Sequence, residues 1–577
     1  MGTPQHHRAD RGDVLLAFGF ALLLGLAWAA RDWASLSALR LPDTDDAMRL
    51  QQIRDWLGGQ AFEDVRQHRL AGGLAMHWSR LPDLVPAAII TILRPLIGLH
   101  AAEVAAVVAW PLALFGAALA LVAAITRKLA PEAARTAIIV AGVAYPVTTL
   151  FAPGRIDHHG LQIVLVLIAV RAVLAAPGWA SGVVAGVATA ASLITGMEMA
   201  PVLSLVSLSV WVGWWWGRSG ASGQLAGQLS GLGAGLSGML ALGATIFATT
   251  DWAYAACDSF TSTVWMAAQI GAVAPLVLGL ATPLLGTRSL RAAASLMIGG
   301  IVALPLLPIA HGCANPYGAV DPLVARLWLD HVGEAQSLFA APFATAVAYA
   351  GLLIAGTAAT LWQLRRGPER GWVILLMLQL AAFAVACFEL RGVYAGVILG
   401  TPALAVAIGE ARARGALWLA GAWLGSAGML YPIAAQAFAP TGTPSAACNP
   451  QAALAALPTG TVMAPIDVGA YAIAAGSHQM IAAPYHRNNA GNAAMYRFFL
   501  GTPDAAQTIA ARWQVDYVLL CPSDFGEVEH ATTRDPHRLL SQLRADNAPR
   551  WLTPIATASG AKLWRVAPRL REAPRAD

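Results

Sequence analysis

From residue 13 to residue 435 the chain alternates between long apolar runs and short loops that carry arginine and lysine. A helix that crosses a bilayer needs about 20 largely apolar residues. Thirteen runs approach that length: 13–30, 103–126, 135–150, 159–176, 179–196, 199–217, 229–249, 264–284, 291–310, 341–362, 371–388, 392–408 and 415–435. The pattern predicts a polytopic α-helical membrane protein. Composition agrees, since 12% of the residues are charged against about a quarter in a soluble domain. The stretch 84–98 is short and interrupted by Arg94 and Pro95, which reads as an interfacial or re-entrant helix. The run at 13–30 follows a polar, basic segment without a small-residue cleavage site and reads as a retained first helix.

The basic residues test this count, because cytoplasmic loops of membrane proteins are enriched in Lys and Arg. With the N-terminus in the cytoplasm, the inner loops hold Arg127, Lys128 and Arg135, then Arg218, then Arg288 and Arg291, then Arg365, Arg366 and Arg370, then Arg412 and Arg414. The net charge of +5 is therefore a matter of topology and does not point to nucleic acid. Two outer loops are long, 31–102 and 311–340, so the membrane domain is expected to span 1–435. Beyond a linker with Pro440, Gly442 and Pro444, the segment 436–577 reads as an outer α/β soluble domain. Its expected strands are 462–466, 517–521 and 562–566, and its expected helices 490–500 and 503–514; the last residues, 571–577, read as disordered. An odd number of spans places this domain outside, in a bacterial-type inner membrane on the periplasmic side. Cys257 with Cys313, and Cys448 with Cys521, form pairs if their segments face an oxidising compartment.

Ionisable residues at helix ends in so apolar a chain are functional candidates. On the predicted outer side lie Asp43, Asp45 and Asp46, then Asp157, His158 and His159, then His331 and Glu334, then Glu389 and Arg391. Each alone is equally well read as a solvated loop charge or a helix cap. Together, carboxylates and an imidazole from separate loops suit one divalent cation. Oxygen ligands favour Mg²⁺ or Mn²⁺, and a histidine tilts the choice toward Mn²⁺ or another transition metal such as Zn²⁺. Such an ion can neutralise a phosphate leaving group, and an arginine at the same depth can grip that phosphate in bidentate fashion. The small-residue spacing at 223–238 suits close helix packing and lacks the Lys-Ser/Thr of a phosphate loop.

These motifs resemble those of the catalytic subunit of oligosaccharyltransferases, membrane enzymes of the GT-C glycosyltransferase fold. The resemblance implies thirteen spans, long first and fifth outer loops and an outer C-terminal domain. DDAMRLQQIRD resembles the essential aspartate of the first loop, with Asp45 or Asp46 as its counterpart; DHH stands where a second acidic motif is expected. The implied metal ligands are Asp45, Asp157 and His159. HVGEAQ resembles the fifth-loop motif whose glutamate, here Glu334, links metal and acceptor. Arg391, with His158, is placed for the donor phosphate. The family's WWDYG, which reads an asparagine-glycosylation sequon, has its best counterpart in PIDVG, where Asp467 and Gly469 remain but Pro465 and Ile466 replace the tryptophans. Acceptor contacts are then expected from Asp467, His486 and Arg487, with a protein, lipid or glycan acceptor.

The implied activity is inverting, metal-dependent transfer of a sugar or oligosaccharide from a polyprenyl-(pyro)phosphate donor. A transporter or lipid-linked glycan flippase is the alternative from another class. It would show internal repeats with paired broken helices and midplane charges; no repeat is visible here. A non-catalytic partner in glycan assembly is a third reading, opened by the altered WWDYG.

Overall fold

The computed structural model of the 577-residue chain describes all residues except 1–3, 218–221, 255, 314–316, 318–319, 439–447, 527, 529–532, 558–559 and 569–577. The linker prolines and the C-terminal tail fall outside the described residues, as does Arg218. Two compact units are present: residues 1–39, 78–316 and 333–439 form the first, and residues 40–77, 317–332 and 440–577 the second. Parts of the two long loops, residues 40–77 and 317–332, thus fall in the same unit as the C-terminal segment.

The first unit is helical. Among the described residues, seven helices are long and apolar enough to cross a membrane: Arg11–Leu36, Leu99–Leu129, Gly223–Ile246, Ser262–Leu280, Arg288–Gly312, Phe343–Arg366 and Leu390–Arg414. Six shorter apolar helices accompany them, Leu84–Ile97, His159–Val173, Trp179–Thr195, Ala200–Trp216, Arg370–Ala386 and Ala416–Ser426. The face of Arg288–Gly312 is open, with Leu296, Ile301 and Leu304 all exposed, as a lipid-facing helix would be.

Two expected spans are not continuous helices. The run 135–150 is a helix only over Ala134–Gly142, followed by a 3₁₀ turn at Val147–Phe151. Pro146 has no amide to donate, and Tyr145 before it is disfavoured in the α region. The run 415–435 stops at Ser426 and resumes as Leu430–Ala435. The two interruptions meet. The amide of Met429 donates to the carbonyl of Val143 at 3.1 Å, and a Cβ on Gly428 would lie 2.6 Å from the Tyr145 nitrogen. Irregular backbone in an apolar protein survives where protein groups satisfy it, and here each break serves the other.

The glycine-rich stretch packs backbone on backbone. A Cβ on Gly182 or Gly186 would come within 2.0 or 2.3 Å of the carbonyl oxygens of Gln228 and Leu232. Across the same contact, one on Gly231 or Gly235 would meet the carbonyls of Trp179 and Val183 at 2.2 and 2.4 Å. This is the small-residue contact through which apolar helices associate closely.

The second unit is built on a five-stranded mixed sheet. In spatial order its strands are Gln479–Met480, Thr461–Met463, Tyr517–Leu520, Lys562–Val566 and Leu552–Ile555. The first three run parallel and the last two pairings are antiparallel. Leu552–Ile555 tolerates Pro554 because it is an edge strand. Helices Asn489–Leu500 and Pro503–Arg512 cover the sheet, with Tyr496, Phe498, Phe499, Val518 and Leu520 in the core. Cys257 is bonded to Cys313 in the first unit, and Cys448 to Cys521 in the second.

Candidate metal centre

The first unit gathers ionisable side chains around the start of the His159–Val173 helix. Asp157, His158 and His159 are all buried and each places a ligand atom within 4.8 Å of the others. His158 bridges two carboxylates, with Nδ1 2.6 Å from Asp157 Oδ1 and Nε2 3.1 Å from Glu198 Oε1. Burial alone would lower its pKa, but the Asp157 and Glu198 charges and hydrogen bonds prevail and push it up to about 10. Burial likewise opposes the Glu198 charge, and the His158 cation outweighs it, helped by His159 and Arg391, holding Glu198 well below the usual carboxylate range. A Cβ on Gly196 would lie 2.4 Å from Glu198 Oε2, so glycine makes room for this carboxylate. Gln162 Nε2 donates to the same oxygen at 2.9 Å.

His159 points its other edge into the cluster. Its Nε2 is 3.5 Å from Asp157 Oδ2 and 4.0 Å from Glu334 Oε1, while Nδ1 lies 3.4 Å from Gln162 Oε1. Glu334 is delivered by backbone pairing. The amides of Leu390 and Arg391 donate to the carbonyls of Gln336 and Glu334 at 2.8 and 3.1 Å, and that of Leu338 to Ala386 at 2.9 Å. The same zipper places Arg391 beside Glu334, its Nε donating to Glu389 Oε2 at 2.6 Å.

This donor set fits a divalent cation. Ligand atoms at about 2.0–2.2 Å from one ion lie no more than about 4.4 Å from each other, and the separations of 3.5 and 4.0 Å around His159 Nε2 satisfy that limit. The Gln162 contact is of the kind that orients a metal-ligating imidazole. His158 differs from the sequence expectation. Both its nitrogens lie within hydrogen-bonding distance of carboxylates, Asp157 and Glu198, where the sequence pointed to a donor phosphate. Glu198, a charge in GMEMAP at the end of an apolar run, joins the cluster through His158 and Gln162.

Asp45, Asp46, Asp467, His486 and Arg487 belong to the second unit. Asp43 caps the Thr44–Leu57 helix by accepting from the Asp45 amide at 3.1 Å. Asp45 and the buried Asp46 sit in its first turn, where the helix dipole favours anions. Asp467 precedes the Val468–Ala475 helix without capping it. Gly469 is required by packing, since a Cβ would lie 1.9 Å from the Ala482 carbonyl oxygen. The His486 ring lies 5.0 Å from His77 and 5.3 Å from Tyr317. Arg487 Nη1 lies 3.5 and 3.4 Å from the carbonyls of Ala75 and Met76. Asn488 is structural: its Nδ2 donates to Ile481 O at 2.9 Å and to Asn492 Oδ1 at 3.0 Å.

No protein-family model and no curated protein sequence matches the chain. Solved structures do. The chain is similar to the archaeal oligosaccharyltransferase AglB from Archaeoglobus fulgidus in complex with an inhibitory peptide and a dolichol-phosphate, at 14% identity and a TM-score of 0.62, covering 88% of this chain and 69% of that one. It is similar to the Archaeoglobus fulgidus oligosaccharyltransferase in complex with Zn and sulfate, at 14% identity and a TM-score of 0.59, covering 91% and 70%. It also matches that organism's enzyme tethered to an acceptor peptide containing the NVT sequon, at 15% identity and a TM-score of 0.58, covering 88% and 69%. The chain therefore has the fold of these oligosaccharyltransferases, with one helical unit that carries the long apolar helices and one unit that contains the five-stranded sheet.

Proposed function

We propose that this chain is an inverting glycosyltransferase that moves a sugar or oligosaccharide from a polyprenyl-(pyro)phosphate to an acceptor at the outer face of a bacterial-type inner membrane. The observation that carries the reading is the buried Asp157–His159 donor pair with Glu334 at 4.0 Å from His159, set in a fold shared with oligosaccharyltransferases. The bonds balance simply: the anomeric C–O bond to phosphate breaks, a bond from the anomeric carbon to the acceptor forms, and the acceptor proton goes to a carboxylate. Asp157 and His159 are the residues of the first unit that would hold a divalent ion, Mn²⁺, Mg²⁺ or Zn²⁺. When bound, that ion supplies positive charge toward the departing phosphate.

The protein groups do the rest. Arg391 meets the phosphate with its guanidinium fork. Glu334 orients the acceptor and takes its proton. Asp467, His486 and Arg487 are the proposed acceptor contacts. Known relatives in fold bind a dolichol-phosphate and acceptor peptides, which supports a lipid-linked donor here. Pro465 and Ile466, where the family has tryptophans, favour an acceptor other than the asparagine sequon.

The test is consumption of a polyprenyl-pyrophosphate-linked, radiolabelled sugar by detergent-purified protein with Mn²⁺. Asp157→Ala and His159→Ala should each abolish it while membrane insertion persists. Donor consumption at the wild-type rate in both variants would sink the proposal.

A further inference from the structure

The second unit holds a cavity that none of the roles above uses. It measures about 690 Å³, and its lining includes Arg326, His331, Arg497 and Arg538 over an apolar floor with Leu327 and Leu500. Among the described residues, no acidic side chain lines it. Three stretches far apart in sequence build the wall. The Pro322–Leu327 helix is tied to Asn489–Leu500 by the Tyr496 hydroxyl, which donates to the Leu327 carbonyl at 3.3 Å, and by the Asp321 amide, which donates to Asn489 Oδ1 at 2.6 Å. Arg538 supplies the third side, and the amide of the next residue, Leu539, ties it to Gly501 O at 2.9 Å.

Two of the arginines are held in place. Arg497 pairs with Asp321, and Arg538 Nε donates to Asp535 Oδ2 at 3.1 Å while another nitrogen reaches the Leu500 carbonyl. Neither aspartate lines the cavity. Arg326 is exposed and makes no ion pair or side-chain hydrogen bond among the described residues. The wall thus offers one uncompensated guanidinium and two pre-oriented ones. Guanidinium forks match carboxylate and phosphate. Ligand-binding cavities run from about 300 to 1,000 Å³, so the volume is that of an organic ligand and far more than a bare anion fills. The apolar floor suits the C–H faces of sugar rings.

We propose that this cavity binds an acidic saccharide, a short sugar chain carrying carboxylate or phosphate, as a recognition site on the soluble part. The assignment to a saccharide rests on the transfer reaction proposed above; the anion preference rests on the cavity alone.

The experiment is titration of the full, detergent-purified chain by isothermal calorimetry with three probes: trigalacturonate, maltotriose and inorganic phosphate. Trigalacturonate should bind, maltotriose should not, and phosphate should bind at least tenfold more weakly. Arg326→Glu should weaken trigalacturonate at least tenfold, and Arg326→Ala decides the matter should the reversal disturb folding. Unchanged affinity in the folded variant overturns the proposal. So does maltotriose binding as tightly as trigalacturonate, or phosphate doing so, which would make the cavity a bare anion site. Asp157→Ala should keep full trigalacturonate binding, and its loss there would move the binding to the metal centre and overturn the proposal. Retained binding in a protein that never consumes a lipid-linked donor would defeat the transferase reading alone.

Discussion

Glu198 and His158 show how much of the centre depends on groups that need not touch substrate. Glu198 contacts His158 at 3.1 Å and accepts from Gln162 at 2.9 Å, and His158 in turn holds Asp157 at 2.6 Å. Partners behind metal ligands typically change affinity by roughly 10–100-fold when removed. Glu198→Gln preserves the shape and removes the charge that holds His158 as a cation. We expect Mn²⁺ affinity, read by calorimetry, to fall within that range while the protein stays folded, and the loss should be smaller than in Asp157→Ala. An affinity equal to wild type would show that His158 is fixed by Asp157 alone. At this scale the sequence was informative about residue types and silent about their pairing. DHH announced a cluster, yet the spacing alone did not tell that His158 turns toward two carboxylates while its neighbour turns toward Glu334. Those choices are made by contacts with residues tens to hundreds of positions away.

The elements were legible where a local rule governs them. Apolar length marked most of the helices, and small-residue spacing marked the Gly223–Ile246 packing face. Legibility failed where a break is repaired by another segment. Val143–Pro146 and Gly428 read as parts of spans because hydropathy reports environment, and the environment stays apolar through a break. The Leu552–Ile555 strand was missed because Pro554 argues against a strand unless the edge position is known. The glycine contact supports a sharp prediction. Gly231→Leu forces a side chain against the Trp179 carbonyl, 2.2 Å from the new Cβ. Overpacking costs about 1–3 kcal/mol, and here the obstacle is backbone that cannot rotate away. The expected result is a clearly lower melting temperature by fluorescence-detected size exclusion. Gly238→Leu on the same helix is the control, since nothing lies within 4 Å of its Cβ position. Equal melting of the two variants would mean that the two helices separate without loss.

At the scale of the whole molecule, the orientation proposed for the chain has a physical handle in one helical hairpin. Ser262–Leu280 and Arg288–Gly312 are joined by a short turn, so Cys257 and Cys313 lie at the end opposite Arg288 and Arg291. The arginines sit in the first turn of their helix, where the dipole disfavours a cation. They are stabilised instead by the C-terminal carbonyls of the Ala200–Trp216 helix: Arg291 donates to Trp214 O and Arg288 to Trp216 O, each at 2.9 Å. Basic residues concentrate on the cytoplasmic side, and disulfides persist in oxidising compartments. Both tendencies accord with the proposed orientation, in which the Cys257–Cys313 end of this hairpin is at the outer face. In a Cys387→Ser background, a membrane-impermeant phosphine followed by an impermeant maleimide should label Cys257 and Cys313 in spheroplasts, with little labelling in sealed inverted vesicles. Peptide mass spectrometry identifies the labelled pair. Labelling confined to inverted vesicles would reverse the hairpin and, with it, the side of the membrane on which the Asp157 centre is proposed to work.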